Sequence, residues 1–486
     1  MRNHAHRRLL GLTFALFLGS GAVGCDFLDP TNVENPLTTA DDLAQATEPT
    51  RALLPGLRAQ FARAINGTIV LTEVVSDNYA IHGTGLDSEY DNPRAIVPNI
   101  VNATGTATGL YWNLQELRAL ATFVLDDIVP GDATATPDQL AEVRYYRGMA
   151  YLMLAENFTA APLETDGTPV AALDLVSLAL ADFEASLAAG GAGDFTLRTR
   201  AAQARTHRAA GNGSQAAQAA QQALATEPNF VFLQEYDATS ISNAAYVFTT
   251  DRALREMQPL PRLDFLDPKY TSLSAAVPVA KAEEMHLILA EVALAAGSLD
   301  EARGHVANAI EIALTRPRPS FNDTDQRQNA NLTLRPRNAE ILIRADPESP
   351  FRAGLVLTRP GSVPVPTISG TSLRADSVRA LTGEEATWHA FHLARQEIHF
   401  LEGRRMSDLG IRLPMMLREI EANPNISMGG PGTQVVVPAY IPQDNQMDNF
   451  SPASPYDDND QLTTTEVTMQ VDMNRVLARE RVNAFN

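Results

Sequence analysis

The stretch that decides the fold is residues 281–314, KAEEMHLILAEVALAAGSLDEARGHVANAIEIAL. It predicts two antiparallel helices joined by a tight turn. Gly297 is the residue type that ends a helix in the left-handed conformation, and residues 298–301 (SLDE) match a capping box that starts the next helix. In the first helix, one apolar stripe recurs at the helical period: Met285, Leu289, Val292 and Ala296.

The second helix of this hairpin carries small or branched residues that allow two helix axes to approach closely: Ala302, Val306, Ala309, Ile310 and Ala313. This is the layout of a tetratricopeptide-type helical pair. Residues 196–227 repeat the pattern with a break at residues 211–213 (GNG). The sequence therefore predicts a mostly α fold, in which tetratricopeptide-like pairs form an α/α scaffold. Because the units are separated along the chain, a regular solenoid is not expected.

Local signals mark the other helices. The dipeptide at residues 66–67 (NG) is a break signal, so a helix ending near residue 65 and a second helix over residues 69–75 are expected. Residues 136–139 (TPDQ) combine an N-cap threonine, a first-turn proline and a glutamine box partner, and they predict a helix to about residue 158. Further helices are expected at residues 110–128, 171–188, 382–409, 413–420 and 464–482.

Composition excludes one large class of function. The chain has 486 residues, of which 45% are hydrophobic and 20% are charged, and this is a globular composition that can build a large core. Its formal net charge is −20, and Lys269 and Lys281 are its only lysines. Nucleic-acid binding needs clustered cations. The sequence shows no such cluster, which argues against a nucleic-acid partner.

The first residues predict export and lipidation. Residues 1–24 have a basic start, an apolar run over residues 9–18 and small residues before Cys25, as in a signal peptide. The run is too short to favour a transmembrane anchor. Cys25 is the only cysteine and is the predicted lipidation site, since several acyl chains anchor a protein stably. Residues 25–38 then form a lipidated tether. The sequence alone does not decide between inner and outer membrane.

Residues 76–109 are rich in Gly, Asn, Asp and Thr, with isolated aromatic residues. Long irregular segments inside a helical chain are often functional. Sugar rings stack on flat side chains while polar groups bind their hydroxyls, so this segment supplies the candidate ligand site: Asp77, Asn78, Tyr79, His82, Tyr90 and Asn92. The alternative is that the tyrosines cover the core. Trp112 and Trp388 are expected in the core, and 6% aromatics leaves peptide ligands open.

No catalytic or metal motif is visible in the sequence, so neither an enzyme nor a cofactor is predicted. His389, His392 and His399 share one face of the predicted helix over residues 382–409. Two histidines on one helix face can hold a metal. The opposite face is apolar, which favours a polar, partly solvated face over a metal site.

Three motifs carry a resemblance to a known family. Tyr270 and Pro278 precede a helix with residues 290–294 (AEVAL), and residues 440–442 (YIP) precede Asn445 and Asn449. Between them lies a signature made of Arg395, Glu397, Phe400, Glu402, Gly403, Arg404, Arg405, Asp408 and Leu409. In this order the motifs resemble the SusD/RagB family of outer-membrane nutrient-binding lipoproteins.

The resemblance implies one SusD-like helical domain over residues 39–460. Residues 461–486 are then a C-terminal extension, for which a helix but no function is predicted. Large irregular insertions are expected at about residues 76–109, 229–278 and 315–383. The family places part of its ligand surface in the first of these. The signature residues could suggest an active site, but buried ion pairs that join two segments are the favoured interpretation.

The implied function is a surface-exposed outer-membrane lipoprotein that binds an oligomeric nutrient, most simply a glycan. It would deliver this ligand to a SusC-like TonB-dependent transporter. Two alternatives remain open from the sequence. One is capture of a peptide instead of a glycan, and the other is a periplasmic tetratricopeptide-type scaffold for envelope-protein assembly.

Overall fold

The computed structural model describes residues 47–76, 78–81, 88–101, 109–190, 194–251, 257–322, 340–357, 361–443, 447, 449–452 and 463–485. Helices make up most of this part of the chain. They are α1 (Pro49–Val75), α2 (Pro98–Val101), α3 (Leu110–Phe123), α4 (Pro137–Asn157), α5 (Ala172–Ala189), α6 (Asp194–Ala209), α7 (Gly213–Thr226), α8 (Ala244–Thr250), α9 (Ala282–Ala295), α10 (Leu299–Thr315), α11 (Ala375–Arg379), α12 (Glu384–Ile398), α13 (Arg405–Asp408), α14 (Leu417–Ala422) and α15 (Met473–Arg479). None of these described helices is long and apolar enough to cross a membrane.

The strands are short. They are β1 (Tyr79–Ile81), β2 (Ala160–Ala161), β3 (Val170–Ala171), β4 (Val231–Gln234), β5 (Met257–Pro259), β6 (Val277–Lys281), β7 (Ser320–Asn322), β8 (Leu342–Arg344), β9 (Ser362–Pro364), β10 (Phe450–Ser451) and β11 (Glu466–Met469). Antiparallel pairs form between β1 and β5, β2 and β3, β4 and β6, and β7 and β9. One sheet has the order β10-β11-β8, in which β11 runs parallel to β8 with Val467 opposite Ile343.

The helical pairs stack in chain order. The pairs α4/α5, α6/α7 and α9/α10 each pack internally, α5 contacts α6, and α7 contacts α9. The α1 and α3 helices extend the stack at one end, and α12 packs on α9 and α10 at the other. The insertion after α7 therefore leaves the stack and returns to it. This confirms the predicted mostly α scaffold, and it shows that pairs separated in sequence are neighbours in space.

The hairpin between α9 and α10 forms as predicted, but its cap differs. Gly297 has a φ of +75°. The backbone N–H of Gly297 donates to Leu294 O at 3.0 Å and that of Ser298 donates to Ala293 O at 2.8 Å, which is a Schellman ending. The Ser298 side chain makes no capping hydrogen bond. The predicted capping box is wrong because the helix ending fixes the Ser298 backbone outside the extended conformation that a cap requires.

The predicted single stripe on α9 is also wrong. Met285 and Leu289 are buried as expected, but Leu287 and Ile288 on other faces are buried too. The reason is that α7, α10 and α12 surround this helix. Ala296 lies beyond the end of α9 and is exposed. The second helix behaves as predicted, since all five of its small or branched residues are fully buried: Ala302, Val306, Ala309, Ile310 and Ala313.

The expected break at residues 66–67 does not occur, because α1 continues through it. A Cβ atom on Gly67 would lie 3.2 Å from the Leu110 Cα at the start of α3, so the glycine allows two helices to approach closely. Asn66 donates to Ser242 O at 2.9 Å and accepts from the Ala244 N–H at 3.1 Å, which binds the insertion to α1. Both residue types serve packing at this position instead of ending the helix.

Other local predictions have mixed outcomes. Thr136 and Gln139 form the predicted capping box of α4. The helix predicted over residues 382–409 ends at Ile398, because the left-handed residues Leu401 and Gly403 turn the chain before α13. The helix predicted over residues 464–482 is instead β11 followed by α15, with the Asp472 side chain capping α15. This C-terminal segment contributes Met473 and Leu477 to the core, among other residues.

Candidate functional site

The turn that follows α12 contains a buried charged cluster. The two lysines of the chain both donate to the same oxygen of Glu402, Lys269 Nζ at 2.6 Å and Lys281 Nζ at 2.5 Å. All three side chains are at most 3% exposed. Lys269 also donates to Phe400 O at 2.6 Å, and Lys281 donates to Ile398 O at 2.7 Å. One carboxylate thereby joins the insertion before β6 to the end of α12.

A second part of the signature fixes this turn against other helices. Arg404 donates to Glu284 of α9 at 2.9 Å and to Val279 O at 3.0 Å. Gly403 has a φ of +68°, and a Cβ atom there would lie 2.8 Å from Thr68 Cγ2 of α1. Burial raises the pKa of Glu73, on α1, to about 7. The turn is therefore held between α1 and α9, and any side chain at position 403 would contact Thr68.

The remaining signature residues make buried polar contacts. Arg395 Nε donates to Asp408 Oδ2 at 2.7 Å. Glu397 accepts from the Thr371 hydroxyl and from the Ser372 N–H, each at 2.7 Å, and burial raises its pKa. Arg405 Nη1 donates to Asn474 Oδ1 of α15 at 3.0 Å. These contacts join segments of the chain, and none of these side chains faces open solvent.

The predicted ligand residues divide into three groups. Asp77 and His82 lie outside the described residues, as does the predicted lipidation site Cys25. Asn92 is partly buried, and Asn78 is fully buried, donating to Glu73 at 2.6 Å. The two tyrosines are also in the core and are described next. Three of the four described candidates are buried, so the structure does not bring those four together at a surface.

Tyr79 lies in β1, where its ring stacks on Phe400 at a centroid distance of 5.6 Å and its hydroxyl donates to Asp267. The Tyr90 hydroxyl donates to Ile100 O at 2.9 Å. The two tyrosines are only 1% and 2% exposed. Rings buried this deeply cannot stack on a sugar that arrives from solvent, so the alternative that tyrosines cover the core applies to both. The proposed ligand site is not placed on them.

Trp112 was expected in the core, and the structure corrects this, since its side chain is 53% exposed. It lies in the first turn of α3, directly after the irregular segment 76–109, and it is the one largely exposed aromatic residue in the described part of the chain. The sequence held a signal for this position. Leu110, Leu114 and Leu117 define the buried face of α3. At about 100° per residue, Trp112 lies roughly 200° from Leu110 and thus on the opposite face.

The histidine face of α12 is also corrected. His392 and His399 are 4% and 2% exposed, because α9, α10 and α15 cover this helix. Burial and neighbouring cations hold the pKa of each imidazole well below its usual range. Of the three histidines, only His389 is partly exposed, and its Nε2 lies 3.0 Å from Asp472 Oδ2. Across the described ranges, no three His, Cys, Asp or Glu side chains are arranged to hold a metal ion.

Comparisons with known proteins identify the fold. No protein-family model matches the sequence, and no curated protein matches it either. Among solved structures, a SusD superfamily protein from Bacteroides vulgatus ATCC 8482 is similar, with a TM-score of 0.50 and 11% identity over 79% of this chain and 98% of that chain. A second protein from the same organism, assigned as a sugar binding protein, has a TM-score of 0.50 and 14% identity over 79% of this chain and 99% of that chain.

The similarity covers almost the whole length of each of these two proteins, so it concerns the complete architecture and not one helical pair. At 11% and 14% identity, the similarity shows the fold alone. The stacked helical pairs with their irregular insertions therefore form the fold of the SusD superfamily.

Proposed function

We propose that this chain is a lipid-anchored protein of the outer membrane that captures an oligomeric glycan at the cell surface. It then delivers the glycan to a TonB-dependent transporter of the SusC type. The observation that carries the proposal is the SusD fold, which spans 79% of this chain and nearly all of the matched structures. One of those structures is assigned as a sugar binding protein, which supports a glycan as the ligand.

Membrane attachment through lipid is supported by the sequence. Cys25 follows a signal-peptide pattern directly, and it is the only thiol in the chain. Acyl chains on this residue would anchor the protein without a spanning helix. The residues up to 38 would then act as a tether between the membrane and the helical body.

The exposed face of Trp112 is the surface on which we place a sugar ring. An indole offers a large flat apolar area at low cost in conformational entropy, which is why tryptophan is enriched in binding hot spots. Its position directly after the irregular segment 76–109 agrees with the ligand surface that the family resemblance implies. The helical stack holds α3 by packing against α1 and α4, so this platform stands on a rigid support.

Delivery requires binding and release but no chemistry on the glycan. The buried signature contacts described above suit this function, because they join distant segments of the scaffold and hold it rigid. The transporter would supply the energy through its TonB coupling. This chain would contribute recognition alone.

The ligand is tested by screening the purified protein on a glycan array and measuring each hit by calorimetry. We expect Trp112→Ala to weaken glycan binding by about 2 kcal/mol, which is roughly 30-fold. Leu314→Ala is the matched control, since Leu314 is apolar and 49% exposed and lies on α10, at the other end of the helical stack from α3. Equal affinities of the two variants would remove Trp112 from the site. Binding of peptides without glycans would favour peptide capture instead.

Localisation is tested by adding protease to intact cells. A surface protein is digested, whereas a periplasmic scaffold is protected. Cys25→Ser should release the protein from the membrane fraction without changing its melting temperature. Protection of the wild-type chain in intact cells would support the alternative of a periplasmic scaffold, and it would refute surface capture. Copurification of the lipidated protein with a TonB-dependent transporter tests the partner.

A further inference from the structure

A polar cavity of about 230 Å³ lies where α4, α6, α9 and α12 meet residues 482–484. We call it the arginine cavity. Its charged wall consists of Arg208, Arg395, Arg412, Glu156, Glu291 and Asp408. The volume is below the roughly 300–1,000 Å³ of sites for drug-sized ligands. A cavity of this volume is large enough for several water molecules or one small ion.

Each carboxylate of the wall already has a cationic partner. Glu291 accepts from Arg208 at 2.5 and 3.1 Å. Asp408 lies 3.1 Å from Arg208 Nη2 and 2.7 Å from Arg395 Nε. Glu156 accepts from Arg205 Nε at 2.7 Å. The acidic groups are therefore neutralised before any ligand is considered.

The arginines, in contrast, retain unused capacity. Arg395 Nη1 has no hydrogen-bond partner, although the residue is only 2% exposed. Arg412 Nε donates to a neutral acceptor, Ala155 O, at 3.0 Å. With Arg205 included, four arginines face three carboxylates, so the cluster carries an excess positive charge. His392 on the same wall agrees with this, since burial and the nearby arginines hold its pKa well below its usual range.

An unsatisfied buried guanidinium nitrogen is costly, because desolvation of a charged donor is not offset by any acceptor. An anion in the cavity would satisfy the nitrogen and balance the charge. The overall net charge of −20 repels anions at long range, so such a site must rely on short-range contacts. The guanidinium group is the side chain best suited to bind oxyanions in this way.

We propose that the arginine cavity binds one small oxyanion, a carboxylate or an inorganic oxyanion such as phosphate, through Arg395 Nη1 with Arg412 as the second cation. A carboxylate could come from a sugar acid, and an inorganic oxyanion from the medium. The site is separate from the proposed glycan platform, because Trp112 is not among its lining residues. Failure of the glycan test therefore leaves this proposal unaffected.

The test is calorimetry and thermal unfolding of the full protein at constant ionic strength with phosphate, acetate or glucuronate, and with glucose as a neutral probe. We expect saturable binding of at least one anion and none of glucose to this cavity. Arg412→Gln should weaken anion binding by about tenfold or more, while keeping a donor for Ala155 O. Arg379→Gln is the control, since Arg379 pairs with Glu311 at the surface. A crystal soaked in selenate, an oxyanion, should show an anomalous peak beside Arg395 Nη1.

The outcomes are distinct. Tighter binding of glucuronate than of phosphate or acetate identifies a sugar-acid site, and preference for phosphate identifies an inorganic-anion site. Both support the proposal. Equal losses of anion binding in Arg412→Gln and Arg379→Gln, or a soaked crystal without a peak in the cavity, would overturn it.

Discussion

Replacing Glu402 with glutamine removes one negative charge from the buried charged cluster that follows α12 and leaves the shape of the side chain nearly unchanged. The two lysine ammonium groups that share Glu402 Oε1 then lose their only carboxylate contact in that cluster. Both groups keep backbone acceptors, Phe400 O for Lys269 and Ile398 O for Lys281. The variant therefore tests the charge and not the hydrogen-bond count alone.

The size of the effect follows from burial. Removing one partner of a buried ion pair costs about 3–5 kcal/mol, because an uncompensated charge remains. A typical domain has only about 5–15 kcal/mol of stability, so the loss is large. Burial already lowers the pKa of Lys269 from 10.5 to about 8. Its stabilising contribution is present above pH 10.5 and is lost as pH falls through 8, so the variant should be less impaired at pH 9 than at pH 7.

The assay is urea unfolding of the wild type and Glu402→Gln at pH 7 and pH 9. Glu311→Gln is the matched control, because Glu311 pairs with Arg379 at the surface and should change stability by less than about 1 kcal/mol. Adding Lys269→Met to Glu402→Gln should recover part of the loss, since one unpaired ammonium is removed. A Glu402→Gln loss no larger than that of Glu311→Gln would refute the reasoning.

Three further predictions concern the same region. Burial raises the pKa of Glu73 from 4.5 to about 7, so the stability that this residue contributes is present below pH 4.5 and is lost as pH rises through 7. The free energy of unfolding of Glu73→Gln should therefore exceed that of the wild type by up to about 3 kcal/mol as pH rises from 5 to 8, measured from urea midpoints. Gly403→Ala should lose about 2 kcal/mol in the same assay, because φ is +68° and the new Cβ would meet Thr68 at 2.8 Å; an unchanged midpoint would contradict this. Arg405→Ala should lower the melting temperature through loss of its Asn474 contact without changing ligand affinity in calorimetry, and the reverse pattern would show that Arg405 serves binding.

Features decided within a few residues could be predicted from the sequence. The Thr136 box and the left-handed Gly297 depend on hydrogen bonds to neighbours in the chain, and both form. The predicted capping box at Ser298 is wrong for an equally local reason, since the end of the preceding helix sets the backbone conformation of Ser298. The fold class followed from such signals because helical pairs are local units. The packing of helical pairs that are separated by long insertions could not be predicted from the sequence.

Burial could not be predicted in the same way, because it depends on partners far along the chain. The Tyr79 hydroxyl donates to Asp267, which lies 188 positions away, and no local pattern around Tyr79 indicates this. Gly67 shows the same limit, since its packing partner is Leu110. Trp112 is the exception. The helical period of α3 places it opposite the buried leucines, so its exposure could have been inferred.

Gln396 of α12 links the two ends of the described chain. Its side-chain amide donates to Asn78 Oδ1 and accepts from Asn474 Nδ2, each at 2.8 Å, and all three residues are at most 1% exposed. Asn78 lies near the start of the described chain and Asn474 lies in α15 near its end. A chain shortened before α15 therefore loses the Asn474 contact and opens the interior at α12, so the C-terminal segment is a structural part of the domain.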